Sequence, residues 1–422
     1  MHEITLQRLA KLGLILELVL AGCGGGNDGP GMGTVPPVGG AGGRAGAAGG
    51  GGAGGSSGGG VFQHPGVLVS KAQLDFVKDK VAAGTQPWKM AFDRAQNSGS
   101  GSPSYVPHPV ANVVCGSNSN PDIGCTAEKS DMAAAYTHAL LWYLGGDENH
   151  AKKAIEIMNA WSAVLEEHTM SNAPLQSGWV GSVFPRAAEI IRHTYSGWPA
   201  NEVERFATML RSVYLPVVLQ GSPNNGNWEL TMAEAAAAIS VFLDDKASFD
   251  QAVSLWRKRV PAYIYLQSDG PTPVAPDGQP GLDLATFWYG QTTFEADGVG
   301  QETCRDLGHM QYGLAAIVNL AETALIQGVD LYGMESKRIS AGLEFHAQFL
   351  DSVAAPPWLC GGQLNLLTYP TWEIGLNHYG NRMGMSLPHT RNLVMRRRPT
   401  GVDHHMEWET LTHADVGMLG GQ

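Results

Sequence analysis

The stretch Asp131-Met-Ala-Ala-Ala-Tyr-Thr-His-Ala-Leu-Leu-Trp-Tyr-Leu144, followed at once by Gly145-Gly146 and Asp147, decides the fold class. Ala, Tyr, Leu and Trp recur in it at the spacing of a helix, and the two glycines stop that helix. Asp147 offers a side-chain cap to a second helix, which runs to about Glu167 with Ile155, Met158, Trp161 and Leu165 on one face. Two helices joined by so short a turn make an α-hairpin.

The pattern continues outward. Val183–Tyr195 reads as a helix, and Asn201 caps another that runs to about Leu219. Thr231-Met-Ala-Glu234 has the form of a capping box opening an Ala-rich helix to Leu243. Further helices cover about Ala247–Leu266, Cys304–Gln327 and Ser336–Asp351. Their connections are long and rich in Gly, Pro, Asn and aromatics, and strand-like alternation is weak throughout. The expectation is an all-α fold: α-hairpins stacked into an incomplete α/α toroid, with functional loops at one end. An irregular helical bundle is the alternative.

Residues 1–23 read as an export signal. Arg8 and Lys11 precede the apolar run Leu12–Leu20, and Leu20-Ala21-Gly22-Cys23 has the form of a lipobox whose Cys is lipidated after cleavage. Glu17 departs from that pattern, and an uncleaved N-terminal helix is the other reading. Residues 24–60 are dominated by Gly, Ala, Ser and Pro, which cannot bury enough surface to offset ordering, so they read as a tether. Residues 61–422 are then one folded domain of an envelope lipoprotein, periplasmic or at the cell surface. No stretch approaches the roughly 20 apolar residues of a spanning helix.

With 422 residues, 43% of them hydrophobic, the chain has ample material for a large core. The formal net charge of −12 excludes a nucleic-acid partner, which would need a basic footprint. It also weighs mildly against an anionic polymer, unless a local cationic cleft overrides it. Beyond Cys23, four cysteines remain, an even number that in an exported chain favours disulfides. Cys115 and Cys125, enclosing a short loop, are the preferred pair, and Cys304 with Cys360 is the remaining combination. No Cys-x-x-Cys spacing supports a metal site.

The densest chemistry lies in Gln301-Glu-Thr-Cys-Arg-Asp-Leu-Gly-His-Met-Gln-Tyr312. On a helix, Glu302, Arg305, His309 and Tyr312 share one narrow stripe. A polar stripe beside the apolar Leu314, Ile317 and Leu320 needs partners, and an active site supplies them. A salt-bridged helix start, Glu302 with Arg305 and Asp306, is the simpler reading. A second feature is Pro223-Asn-Asn-Gly-Asn-Trp-Glu229, in which Asn225 and Asn227 offer amides, Trp228 a flat face for a sugar ring and Glu229 a carboxyl. The plainer reading is a turn with a helix cap. A third is Trp372–Arg382, a candidate loop bearing Asn377, His378, Tyr379 and Arg382. Gln176 and Trp179 add a possible aromatic wall. His404, His405 and His413 do not match zinc spacing and read as structural, and Arg396–Arg398 reads as a solvated run.

Together, His64-Pro-Gly-Val-Leu-Val-Ser with Gln86-Pro-Trp-Lys89, the Asn225/Trp228 segment, the Arg305–Tyr312 stripe and the tail His404-His-Met-Glu-Trp-Glu-Thr-Leu-Thr-His413 resemble the alginate-lyase superfamily. These are polysaccharide lyases on an α/α toroid. The resemblance is nearest to family thirty-eight, the alginate and glucuronan lyases, with family five as a cousin, and it runs from about His64 to the end. It implies metal-independent β-elimination on an acidic polysaccharide, a 1,4-linked polyuronate, with no cofactor. It assigns Tyr312 as the proton-exchanging residue and Arg305 seven residues earlier as its partner. Family five places an Asn-His pair before a Trp. Here Asn225 is followed by Gly226, which leaves Tyr312 as base and acid and His309 as a substitute.

Elimination at C5 of a uronate requires its carboxylate to be neutralised, a task for Asn225, Asn227 and Arg305, or for a protonated Glu229. Arg305 near Tyr312 is expected to favour the phenolate. Two rivals remain at this stage. A helical-toroid glycoside hydrolase would need two flanking carboxylates, drawn from Glu229, Glu302 and Glu373. A non-catalytic glycan-binding lipoprotein would share tether, aromatics and helices.

Overall fold

Apolar residues at helical spacing fold most of the chain into helices, in a computed structural model that describes residues 62–224, 226–277, 279, 281–369 and 371–418. The signal, Cys23 and the tether lie outside the described residues. The first half holds α1 (Lys71–Ala82), α2 (Trp88–Gln96), α3 (Cys125–Gly145), α4 (Glu148–Ser162), α5 (Ala173–Thr194), α6 (Ala200–Met209) and α7 (Leu215–Val218). The second holds α8 (Gly226–Phe242), α9 (Lys246–Tyr263), α10 (Leu284–Phe287), α11 (Leu307–Ile326), α12 (Leu331–Met334), α13 (Ser336–Leu350), α14 (Glu373–Gly375), α15 (Pro388–Arg397) and α16 (Glu409–His413). A π turn over Leu210–Tyr214 links α6 to α7, and a second, Leu376–Arg382, continues α14.

Helices α3, α5, α8 and α11 pack side by side as an inner row, and α14, α16 and α1 lead from α11 back to α3. Outer helices back this row: α4 on α3, α7 on α5, α9 on α8, α13 on α11. Composition explains the two layers. The inner α8 is buried without a break from Leu230 to Phe242, and its Ala235–Ala238 lets neighbouring backbones approach closely. The outer α4 buries only one side, through Ala151, Ala154, Ile155, Met158 and Trp161. Around the ring run a small sheet, β1 (Asn112–Cys115) between β2 (Asp122–Ile123) and β3 (Glu167–Thr169), and a late hairpin, β4 (Val402–Asp403) with β5 (Met406–Glu407). The hairpin pairs Asp403 with Met406, so His404 and His405 form its turn.

Several boundaries differ from the sequence reading. Asn201 lies inside α6, behind Pro199 at the cap, and Thr231 is buried within α8 rather than opening it. Trp372–Arg382 is helical, not a loop, because its aromatics and Ile374 pack into the core. Arg398 is no solvated cation: it is buried between Glu373 and Asp415. Disulfides join Cys115 to Cys125 and Cys304 to Cys360. No helix among the described residues is long and apolar enough to cross a membrane.

Candidate active site

The segment Glu302–Tyr312 splits at Asp306. Asp306 is the extended cap of α11, and its carboxylate accepts the His309 backbone N–H at 2.8 Å and faces His309 Nδ1 at 2.6 Å. Before it, Gly300–Asp306 is a tight turn in which Arg305 and Asp306 donate backbone N–H groups to the Glu302 carbonyl, at 3.0 and 3.2 Å. Glu302 and Arg305 therefore do not share a helical stripe with His309 and Tyr312. A carboxylate that caps at residue 306 fixes the helix start at Leu307, three residues later than apolar spacing suggests.

Glu302 is fully buried and well supplied with donors. Asn227 Nδ2 lies 2.7 Å from each of its oxygens, the Tyr263 hydroxyl donates at 3.1 Å, and Arg305 Nη1 donates at 3.0 Å. Glu302 thus anchors Arg305, whose guanidinium stays partly exposed over the Tyr289 ring, 5.8 Å from its centroid. This is part of the simple salt-bridge reading, but Asp306 belongs to His309 instead.

Tyr312, on the first turns of α11, points at the β4–β5 turn. Its hydroxyl stands 3.1 Å from His404 Nδ1 and 3.4 Å from Asp403 Oδ1, and His404 Nδ1 makes a short contact with Asp403 Oδ1. That contact assigns the imidazole proton to Nδ1. Nε2 then accepts from Lys129 of α3, 3.3 Å away. Aromatics enclose the group: Tyr369 stacks on Tyr312 at 4.8 Å between centroids, and Trp179 of α5 lies 4.3 Å from His404 and 6.1 Å from Tyr312. Lys129 Nζ also sits over the Trp179 ring at 5.1 Å.

Burial, then the Asp403 charge and Tyr369, push the Tyr312 phenol far above its ordinary value. The expectation that Arg305 favours the phenolate is therefore corrected. Burial lowers the His404 imidazole despite Asp403, so it is neutral at neutral pH, and burial also lowers Lys129.

Beneath the tyrosine lies a second polar layer. Arg186 of α5 pairs closely with Glu234 of α8 and donates to the His405 carbonyl at 3.0 Å, while Asn319 of α11 donates to Glu234 at 3.0 Å. Burial, opposed by Arg186, raises the Glu234 carboxyl to about 7 and the Glu407 carboxyl to about 8.

The other sequence candidates fall elsewhere. Asn225 lies outside the described residues. Gly226 opens α8, and a Cβ there would meet Tyr263 Cδ2 at 2.1 Å. The ring of Tyr263 fills the space in which a histidine side chain would begin. Trp228 is half-buried, and Glu229 is paired with Arg259. Gln176 is buried and donates to the Cys125 carbonyl at 3.0 Å and to Glu128 at 2.7 Å. His378 stacks on Tyr332 at 3.7 Å, Tyr379 donates to the Tyr332 carbonyl at 3.0 Å, and Arg382 pairs with Glu322 at 2.9 Å. Glu322 is ten residues along α11 from Tyr312, about 15 Å away. His378, Tyr379 and Arg382 thus support the core and do not join Tyr312. The carboxylates proposed for hydrolysis are likewise engaged: Glu229 by Arg259, Glu302 by its donors, Glu373 by Arg398. Sequence reading missed Lys129, Tyr369 and Asp403, and took His404 as merely structural; only the His404-His405 doublet marked this turn.

The alginate lyase family profile matches residues 116–355. No curated protein matches the chain. Among solved structures, a Tyr-to-Phe variant of alginate lyase A1-III complexed with tetrasaccharide matches with a TM-score of 0.60 at 16% identity, over 84% of this chain and 96% of that one. Alginate lyase A1-III from Sphingomonas species A1 matches with 0.59 at 14% identity, over 84% and 97%. An alginate lyase from Bacteroides ovatus matches with 0.52 at 14% identity, over 83% and 99%. These likenesses give the fold, an α/α toroid in a single domain. The profile spans more than half of the chain, and with it this protein belongs to the alginate lyase family and is a polysaccharide lyase.

Proposed function

We propose that the protein cleaves a 1,4-linked polyuronate, alginate or glucuronan, by β-elimination at Tyr312, and that it stands nearest to family thirty-eight of the lyases. The observation that carries this reading is the Tyr312 hydroxyl held against the Asp403–His404 pair beneath a wall of Trp179 and Tyr369. The aromatic faces suit sugar rings, and Lys129 and Arg305 supply positive charge around an otherwise acidic chain.

In this mechanism the carboxylate of the uronate is neutralised by Arg305, with Asn225 as an amide donor, so that the enolate formed on loss of the C5 proton is stabilised. Asn227 acts indirectly, since it binds the Glu302 that orients Arg305. Tyr312 passes its phenolic proton to the Asp403 carboxylate that His404 orients, takes the C5 proton, gives that proton to the O4 leaving group, and recovers its own from Asp403. No metal enters any step.

The test is absorbance. Purified protein is mixed with alginate, its block polymers, glucuronan and hyaluronan, and the unsaturated uronate is followed in the near ultraviolet. Tyr312→Phe should abolish the signal while retaining polymer binding. A wild-type protein that binds polyuronate and never produces the chromophore would sink the reading. Residues 1–60 are proposed to act as lipoprotein signal and tether; labelling of Cys23 by a lipid precursor in cells checks this.

A further inference from the structure

A second cluster of titratable groups lies away from Tyr312. His64 Nδ1 is 2.8 Å from Glu189 Oε2, His193 Nε2 is 3.5 Å from Glu189 Oε1, and the three ligand atoms all lie within 4.8 Å of one another. Glu189 and His193 are one turn apart on the same face of α5, while His64 arrives from the segment before α1. The two imidazoles stack at 4.5 Å with an interplanar angle of 11°. Among the described residues, this is the one group of His and carboxylate ligands close enough to share an ion.

Three features separate it from an ordinary ion pair. First, Glu189 is nearly fully buried, yet its Oε1 accepts no hydrogen bond among the described residues. A buried carboxylate oxygen of that kind calls for a cation. Second, two of the three ligands are held by a further partner. Asp244 Oδ1 is 3.2 Å from His64 Nε2, and the Gly66 backbone N–H donates to Glu189 Oε2 at 3.0 Å. A carboxylate on the far nitrogen is the arrangement that orients a metal-bound histidine and frees Nδ1. Third, the spacing fits. Tetrahedral zinc with bonds of about 2.0–2.1 Å holds its ligand atoms roughly 3.3 Å apart; the two histidines reach different oxygens of Glu189, at 2.8 and 3.5 Å, and with all three ligand atoms within 4.8 Å small side-chain rotations bring them onto one ion.

We propose that His64, Glu189 and His193 bind one Zn2+, with Asp244 as the outer partner of His64 and water completing the coordination. The ion fastens the segment preceding α1 to α5 and, through Asp244, to the turn between α8 and α9. Glu189 is ten residues along α5 from Trp179, about 15 Å away, so the ion is structural and takes no part in elimination.

The experiment uses the full-length protein, stripped with a chelator and then titrated with Zn2+ by calorimetry, with Co2+ absorption as a geometric probe. The proposal expects one Zn2+ per chain, visible Co2+ bands of a four-coordinate site, and a melting temperature raised by a few degrees at a hundredfold excess over Kd. His193→Ala should abolish uptake and the thermal shift while lyase activity stays unchanged. Asp244→Asn, which keeps all three ligands, should weaken affinity by about 10–100-fold. Failure of the wild type to take up stoichiometric Zn2+, or uptake unaltered in both variants, overturns the assignment and leaves a protonated His64 between two carboxylates as the role of the cluster.

Discussion

Tyr312 binds its proton more tightly than a free phenol does, because burial and Asp403 both oppose the phenolate. Its competence as a base then depends on a neighbour that accepts the proton, and the Asp403–His404 pair is in place to do so. His404→Ala should lower kcat by roughly 10²–10⁴-fold, the usual worth of a positioned acid–base group, and steady-state kinetics check it. Since burial lowers the His404 imidazole from its ordinary 6.5, the acidic limb of the kcat/KM profile should fall below pH 6.5 and belong to the pair rather than to one residue. A limb above that value would assign the base elsewhere. Gly226 makes a second point at this scale. Tyr263 is wedged between Gly226 and Gly313, where Cβ atoms would meet its ring at 2.1 and 2.3 Å. Gly226→Ala should cost about 1–3 kcal/mol by overpacking, measured by denaturant unfolding. Combined with Tyr263→Ala, the two losses should sum to less than their separate values; strict additivity would contradict the wedge.

At the scale of elements, the site depends on how turns are tied down. The turn Gly300–Asp306 carries Arg305, and Cys304 within it is bonded to Cys360. The segment after Cys360 runs back along α11: Leu307 donates to the Asn365 carbonyl at 2.9 Å, and Tyr369 N–H donates to Gln311 at 2.9 Å. One disulfide therefore positions both Arg305 and the Tyr369 ring. Replacing Cys304 and Cys360 by Ser together should destabilise the domain by up to about 4 kcal/mol, the entropic effect of closing a loop of 56 residues. It should also reduce kcat/KM, because both groups loosen. Chemical denaturation and the ultraviolet assay test the two parts separately, and an unchanged kcat/KM would remove the positioning role.

At the scale of the whole molecule, the inner row of helices is filled by polar groups as well as apolar ones. Glu407 is buried, and neither of its carboxyl oxygens has a hydrogen-bond partner among the described residues. In the folded chain it keeps its proton up to about pH 8, whereas unfolded it releases it near 4.3. The folded state thus binds more protons between those values. Its contribution to stability is complete below about pH 4 and is lost as pH rises towards 8, at up to about 1.4 kcal/mol per pH unit. Glu407→Gln should leave stability at pH 4 nearly unchanged and raise it by pH 8, flattening the curve. Melting temperatures of both proteins across this range check the sign; a parallel curve would mean that Glu407 is ionised in the fold.

Amino-acid order alone determined the helical class, the α-hairpin from Asp131 onward and the residues of the Arg305–Tyr312 segment. These follow from local spacing, caps and glycine stops, which act over a few residues. It also placed His378, Tyr379 and Arg382 in a binding loop, whereas they line the core, because composition does not reveal which way a segment faces. Only the tertiary structure brought Lys129, Trp179, Asp403 and His404 to Tyr312, since these residues lie up to 275 positions apart and meet through the closing of the ring. The same long-range packing decided that Tyr263 fills the space beside Gly226. A sequence records which groups exist, while the partners that set their charge and reach are chosen by the fold.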